Sequence, residues 1–420
     1  MEGVGKKIWL INPAAMSPEY EVRIQTLKRA YYLKQFGYDV TIIGGSYMHN
    51  TSKNLLDDCA EPYLEKDYEG IKYIHIKNSS YKSNNLMRIY SMLEFYFRLW
   101  YYAKSFKSPD YVCAHSAIPF GVVSFFISKK IKSRLIVDVV DLWPESFVAY
   151  GLVNRTNMFV RLAYLAEHWL YKKAEILIFS MEGGKDYIIE KNWSLEQRGG
   201  IDLKKVYYIN NGVDLDDFEY NRVHYQLIDE DLENSKIFKV VYLGSIRLVN
   251  NLKRLLDAAK LLIDIKDIKF LIYGDGEERE ELEKYCLEND LTNVIFKQKW
   301  VELKYVPYIL SCSSLNILNY MPSPLFRFGA SQSKSFQYMA SGKPICSNVE
   351  MNYCPINKYK LGIAKTFNNA EEYAEAIASF YFLPEIDYKE MCKRAKEAAF
   401  DYDYKKLTEK FIYLIDHKLN

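Results

Sequence analysis

Lys239-Val-Val-Tyr-Leu243-Gly-Ser-Ile-Arg247 passes from an apolar run into a turn of small residues. A run this short, apolar at successive positions and closed by a glycine, reads as a strand covered on both faces. Leu252 to Ile263 follows at helical spacing, then Lys269-Phe-Leu-Ile-Tyr273 as a second strand, Glu277 to Glu288 as a helix and Val294-Ile-Phe296 as a third strand. Strands alternating with helices of this length predict a parallel, doubly wound sheet, because a parallel crossover needs a helix to return the chain. Leu315-Asn-Ile-Leu318, a helix from about Lys334 to Ala340, and Pro344-Ile-Cys346 continue the alternation, and Glu371 to Phe380 and Tyr388 to Phe400 finish helically.

The same pattern runs back toward the start of the chain. Lys7 to Asn12, Asp39 to Ile43, Tyr111 to Ala114, Leu135 to Val140, Ile176 to Phe179 and Val206 to Ile209 are strand candidates, with a helix from Arg23 to Gln35 after the first. Between the two series, Asp214 to Asn234 is rich in acids and poor in periodic apolar positions, which reads as a linker. The expected architecture is two α/β lobes, 1–213 and 237–400, joined through 214–236. Two such lobes would leave a cleft between the carboxyl ends of their sheets, where folds of this class place ligands.

Composition sets wide bounds. The chain has 420 residues, 49% hydrophobic and 26% charged, which excludes disorder and fibre. A net charge of +2 gives no global argument for nucleic acid, so none is expected as a partner. Seven cysteines, odd in number and never spaced C-x-x-C, argue against a disulfide framework or a structural zinc site and fit a reducing cytoplasm. Lys6 and Lys7 precede only four apolar residues, too few for a signal-peptide core. Tyr111 to Ser128 is uncharged, but His115, Pro119 and Gly121 make it strand, turn and helix rather than a membrane span. One local excess stands out: 11 Lys/Arg between Ile71 and Arg134 face only Glu94 and Asp110.

Familiar nucleotide motifs fail. Gly274-Asp-Gly276 would need a third glycine where Arg279 stands, so it is no dinucleotide fingerprint, and no P-loop occurs. Asp214-Leu-Asp216 and Asp401-Tyr-Asp403 could hold a metal, but neither follows a core strand, and a solvated linker and a helix entry explain them better. The turn Gly244-Ser245-Ile-Arg247 exposes backbone N–H groups and adds a guanidinium, a combination suited to a diphosphate. A second small-residue turn, Phe328-Gly-Ala-Ser-Gln-Ser333, feeds the helix near Lys334. Two such turns at one sheet edge point to one anion held between them, the alternative being two simple loops.

Val137-Asp-Val-Val-Asp141-Leu-Trp-Pro-Glu-Ser146, Asn210-Asn-Gly-Val-Asp214, Tyr242-Leu-Gly-Ser245, Tyr273-Gly-Asp-Gly276 and Phe328 through Pro344 together resemble the retaining GT-B glycosyltransferases of family 4. The nearest branch in character is the bacterial enzymes of lipopolysaccharide, capsule and exopolysaccharide assembly. The resemblance implies two Rossmann-like, doubly wound lobes facing across a cleft, with the closing helix in 401–420 packing back on the first. It implies a nucleotide diphosphate sugar, UDP-linked, as co-substrate on the second lobe, a glycan or polyprenyl-linked glycan acceptor on the first, and no metal or other cofactor. Gly244, Ser245, Arg247, Trp300, Val301, Gly329, Ala330, Ser331, Lys334 and Gln337 fall where such enzymes hold the donor. Two departures are visible: the family's Arg and Lys after the glycine strand fall on Ser245 and Asn250, and its two glutamates on Gly329 and Gln337. An inactive relative acting as an assembly partner, or an epimerase of similar shape, would be the alternatives.

On the first lobe, Glu19 and Arg23 lie after the first strand, where an acceptor's hydroxyl and phosphate would meet them, with a solvated helix start as the alternative. His115 ends a predicted strand beside the cleft, a candidate catalytic group or a hydrogen-bonded core residue. Asp141 follows the Leu135 to Val140 run; the resemblance places it near the transferred sugar, and an N-cap is the alternative. Residues 81–134, with apolar faces rimmed by cations, suit a helix lying on anionic lipid at the inner face of a membrane, against an internal helix with a few solvated cations.

Overall fold

The computed structural model describes residues 5–19, 24–49, 52–82 and 86–419. The chain divides into two compact units, one made of 1–210 with 404–420 and the other of 211–403. The first is built on an eight-stranded sheet in the order β10-β9-β8-β7-β1-β2-β6-β5. Its central strands are β1 (Lys7–Ile11), β2 (Asp39–Gly45), β7 (Tyr111–His115), β8 (Arg134–Val139) and β9 (Ile176–Phe179), with β10 (Val206–Tyr208) at one edge. These pair in parallel, and the apolar runs that predicted them are buried on both faces, as helices on both sides of a sheet require.

The other edge is a hairpin that the sequence did not betray. β5 (Tyr63–Tyr68) pairs antiparallel with β6 (Ile71–Ile76) through Glu69 and Gly70, both at positive φ (53° and 78°). That is the backbone a two-residue hairpin turn needs, normally announced by Asn-Gly or Asp-Gly. A small ribbon, β3 (Tyr47–Met48) with β4 (Lys53–Asn54), lies outside the sheet. The helix Tyr404–Lys418 completes this unit against helix Ile24–Gln35, and its Asp416 accepts from Tyr38 Oη (3.0 Å) and Lys6 Nζ (2.9 Å).

The second unit holds six parallel strands in the order β13-β12-β11-β14-β15-β16. They are β11 (Phe238–Leu243), β12 (Ile268–Tyr273), β13 (Val294–Phe296), β14 (Leu315–Leu318), β15 (Ile345–Ser347) and β16 (Gly362–Ala364). The acidic stretch read as a linker is not irregular: it carries helices Leu215–His224 and Glu230–Glu233. Asp214 caps the first by accepting from Asp217 N at 3.0 Å, and Asp229 caps the second. Only Phe218 of the first helix is buried, so its apolar periodicity was too faint to show in the sequence. The seven cysteines are all free.

Candidate functional site

In the second unit the chain runs outward from β11 through β12 to β13, then returns to the other side of β11 with β14. Loops leaving the carboxyl ends of β11 and β14 therefore part company, and sheets of this kind bind ligands at such a switch point. Gly244 stands at the first of those ends. Its φ is +151°, and a Cβ there would come within 2.1 Å of Lys334 Nζ. Gly274, at the end of β12 with φ +123°, lies so close that its Cβ would meet the Gly244 carbonyl oxygen at 1.9 Å. Ile246 N–H then donates to the Asp275 carbonyl at 2.8 Å, so the turns after β11 and β12 interlock backbone to backbone. Arg279, which spoils the dinucleotide fingerprint, is a buried clamp on this arrangement: its guanidinium donates to the carbonyls of Gly274 and Lys297.

Lys334 is the second residue of helix Ser333–Ala340, the helix that follows β14. Its amine lies 4.6 Å from the centre of the Tyr242 ring and donates to the Tyr242 hydroxyl at 3.2 Å, which in turn donates to the Ser245 carbonyl at 2.6 Å. No carboxylate pairs with Lys334 among the described residues. Burial without a counter-ion pushes its pKa down to about 8. A partly buried amine, the start of helix Ser333–Ala340 and the glycine turn thus converge with positive potential and, among the described residues, no carboxylate paired with the amine.

Ser245 and Asn250, the positions of the two missing cations, form a neutral pair, with Ser245 Oγ donating to Asn250 Oδ1 at 3.1 Å. Arg247 is exposed, and its guanidinium makes no hydrogen bond or ion pair among the described residues. Gln337 shares a helix face with Lys334, three residues on, and its side-chain amide likewise has no protein partner among the described residues. Gly329 turns the chain at φ +80°, Ala330 packs against the core, and Ser331 Oγ accepts from Asn211 N–H at 3.3 Å. Trp300 and Val301 follow β13, two strands from β11 in the sheet; Trp300 is 82% exposed and Val301 packs inward. The structure therefore brings Gly244 and Lys334 into contact, sets Ser245, Arg247 and Gln337 on the same two elements, and carries Trp300 on the loop after β13, whose Gln298 carbonyl accepts from Gly274 N–H at 3.0 Å. The sequence reading missed Tyr242, which joins lysine to turn; inside an apolar strand it is indistinguishable from a core residue.

The first unit has its own switch point, between β1 and β7. His115 ends β7, in register with Asp138 of β8, and its ring has no partner among the described residues. Asp141 is exposed just beyond β8. It does not cap the short helix Glu145–Ala149, whose entry at Pro144 has no side-chain cap, so the N-cap alternative falls. Glu19 is engaged in an ion pair with Lys66 at 2.8 Å, and Arg23 lies outside the described residues. The acid of the Leu-Trp-Pro-Glu segment, Glu145, is buried with Arg155 at 2.7 Å and with Lys191 and Tyr164; burial pushes its carboxyl up, but these partners more than offset that and hold it below the usual range. Several cations of the basic block are committed internally: Arg98 to Glu94, Lys107 to Asp39, and Lys130 to the carbonyls of Trp100 and Tyr101. Among the described residues, no helix is long and apolar enough to cross a membrane.

Residues 226–401, most of the second unit, match the family model of glycosyl transferases group 1. No curated protein matches the sequence. Solved structures resemble the chain over its length: a glycosyltransferase from Rickettsia africae (18% identity, 100% of both chains, TM-score 0.68) and sucrose-phosphate synthase from Thermosynechococcus elongatus (14%, 97% of this chain and 98% of that one, 0.70). HepE of Anabaena in complex with UDP-glucose is a third (15%, 97% and 99%, 0.63). At these identities the likeness shows the fold, which is GT-B: two doubly wound α/β units with parallel sheets.

Proposed function

We propose that this chain is a retaining glycosyltransferase that takes a sugar from a nucleoside diphosphate, UDP in the first instance, and passes it to a glycan or lipid-linked glycan in cell-surface polysaccharide synthesis. The observation that carries the reading is the Lys334 amine over the Gly244 turn, without a counter-ion. It suits a leaving diphosphate, whose charge grows as the glycosidic bond breaks. The group 1 match over this unit and the UDP-glucose bound by HepE support the donor class.

In this mechanism the donor's diphosphate lies against the Gly244 and Ser245 backbone, with Lys334 and Arg247 as charge-assisted donors. Gln337 meets the ribose, and Trp300 and Val301 the base, with Gly329, Ala330 and Ser331 along the sugar side. On a front-face path the departing phosphate oxygen takes the acceptor proton, so the protein supplies neither a second carboxylate nor a metal. Asp141 and His115 orient acceptor and sugar from the first unit, where Glu19 and Arg23 bind acceptor. The protein works in the cytoplasm at the inner membrane face, touching anionic lipid through residues 81–134. Calorimetry with UDP and uridine, followed by release of UDP from UDP-sugars with and without a lipid acceptor and in the presence of a chelator, tests the reading. UDP and uridine binding alike would remove the diphosphate from the Gly244 turn; loss of turnover with chelator would overturn metal independence.

A further inference from the structure

We infer that the first unit docks on an anionic bilayer by inserting an apolar ridge carried by two helices, Leu86–Tyr102 and Met158–Lys173, the second of them beyond the basic block. The inference deepens the membrane contact proposed above and rests on it. A helix on a water-facing surface turns its apolar stripe inward. Helix Leu86–Tyr102 does bury Phe95, Tyr96 and Leu99, but it also presents Ile89, Leu93, Phe97 and Trp100 at helical spacing on its outer side, with Leu86 80% and Phe97 64% exposed. Met158, Leu162 and Leu165 (64% exposed) form a second outward stripe that ends at the half-buried Trp169, with Phe159, 74% exposed, beside it. Isolated exposed apolar residues are ordinary, whereas stripes of them on adjoining helices mark a surface that something covers.

The stripes are joined. Helix Val123–Ile131 packs against Leu86–Tyr102, its Lys130 amine lies 4.3 Å from the centre of the Trp100 ring, and its Phe126 stacks on Trp169 with centroids 5.7 Å apart at 19°. Charge chooses the occupant. On the three helices the acids are Glu94, bound to Arg98 and Ser79, and Glu167, which is fully buried. Lys129, Arg161, Lys172 and Lys173 rim the stripes. A two-fold contact between copies of this chain would set cations against cations. A layer of anionic headgroups over acyl chains satisfies both features, and with no helix among the described residues able to span, the helices lie in the interface plane.

The test is sedimentation of the full chain with vesicles of phosphatidylcholine, alone or mixed with phosphatidylglycerol. Two variants probe the helices separately: Phe159→Ser with Leu162→Ser and Leu165→Ser, and Leu93→Ser with Phe97→Ser. All five side chains are exposed, so melting temperature and UDP affinity should be unchanged. The parent should bind the mixed vesicles, and each variant should bind about tenfold more weakly or worse, as expected when inserted methylenes are removed. Variants that sediment like the parent would overturn insertion. So would a parent dimer that either variant makes monomeric, since a second copy would then cover the ridge. A parent that ignores the mixed vesicles at low salt would remove the membrane contact altogether, while UDP binding would still report separately on the sugar-transfer reading.

Discussion

The turn after β1 in the first unit and the turn after β11 in the second meet the same geometric demand and end in different chemistry. In each, a glycine near the end of the neighbouring strand lets the loop close down: a Cβ on Gly44 would lie 1.9 Å from the Ala15 carbonyl oxygen, as one on Gly274 would from that of Gly244. After β1 the first residues of the loop, 12–17, are uncharged and packed: Asn12 bonds to Ala14 N and to Thr26, while Ala15, Met16 and Ser17 are buried. After β11 the chain stays open, with Lys334 over the glycine and Arg247 exposed. The fold says where a site can form; a few side chains outside the strands decide whether it can take an anion.

The largest effects are expected from a methyl on each glycine in turn. Gly274→Ala forces backbone apart and imposes φ +123° on a side chain, so a loss of about 3 kcal/mol in stability is expected, together with loss of UDP binding. Gly44→Ala should also destabilise, yet any folded protein should keep its UDP affinity. Thermal unfolding and calorimetry on both variants separate the turns; if Gly44→Ala abolishes UDP binding, they are not independent.

Next in size, Lys334→Ala should weaken UDP by about 1.5–3 kcal/mol and leave uridine unchanged. The same lysine gives a pH signature. Its amine titrates near 8 when no anion is bound, and a bound diphosphate raises that value. UDP affinity should therefore hold steady below pH 8 and fall as pH rises above it, by up to tenfold per unit, until the bound-state value is passed. Lys334→Arg should flatten that profile, and a parent profile flat to pH 10 would show that the amine does not face the phosphates. Arg247→Ala, acting from a more exposed position, should cost less than Lys334→Ala on the same titration.

The smallest effect sharpens the ribose end. Gln337→Ala should weaken the donor by about 1 kcal/mol, whereas Gln337→Glu should hold or improve affinity, by up to roughly tenfold, because a carboxylate accepts stronger bonds from hydroxyls than an amide does. If both substitutions bind donor like the parent, Gln337 does not touch the nucleotide.

These residues also show what a sequence can say. The central strands were readable because both their faces are apolar, and the glycine turns because small residues interrupt those runs. β5 was not, since Glu65, Lys66 and Asp67 hide its alternation on an exposed edge. Lys334 and Gly244 could each be named as donor-site candidates, but their contact spans ninety positions of chain, and Tyr242, which mediates it, looked like any buried aromatic. Asp141 was ambiguous between cap and site until the geometry of Pro144 removed the cap. The apolar stripe of Met158, Leu162 and Leu165 has the periodicity of a buried helix face, so only its exposure in the fold shows that it points outward.

On this reading the Gly244 and Lys334 turn holds the diphosphate of a sugar donor. This is tested most directly by paired calorimetric titrations of UDP and uridine into the parent and Lys334→Ala at neutral pH. The expected result is UDP binding more tightly than uridine in the parent, with Lys334→Ala removing most of that difference and leaving uridine where it was. An unchanged difference between the two ligands in Lys334→Ala would contradict the account.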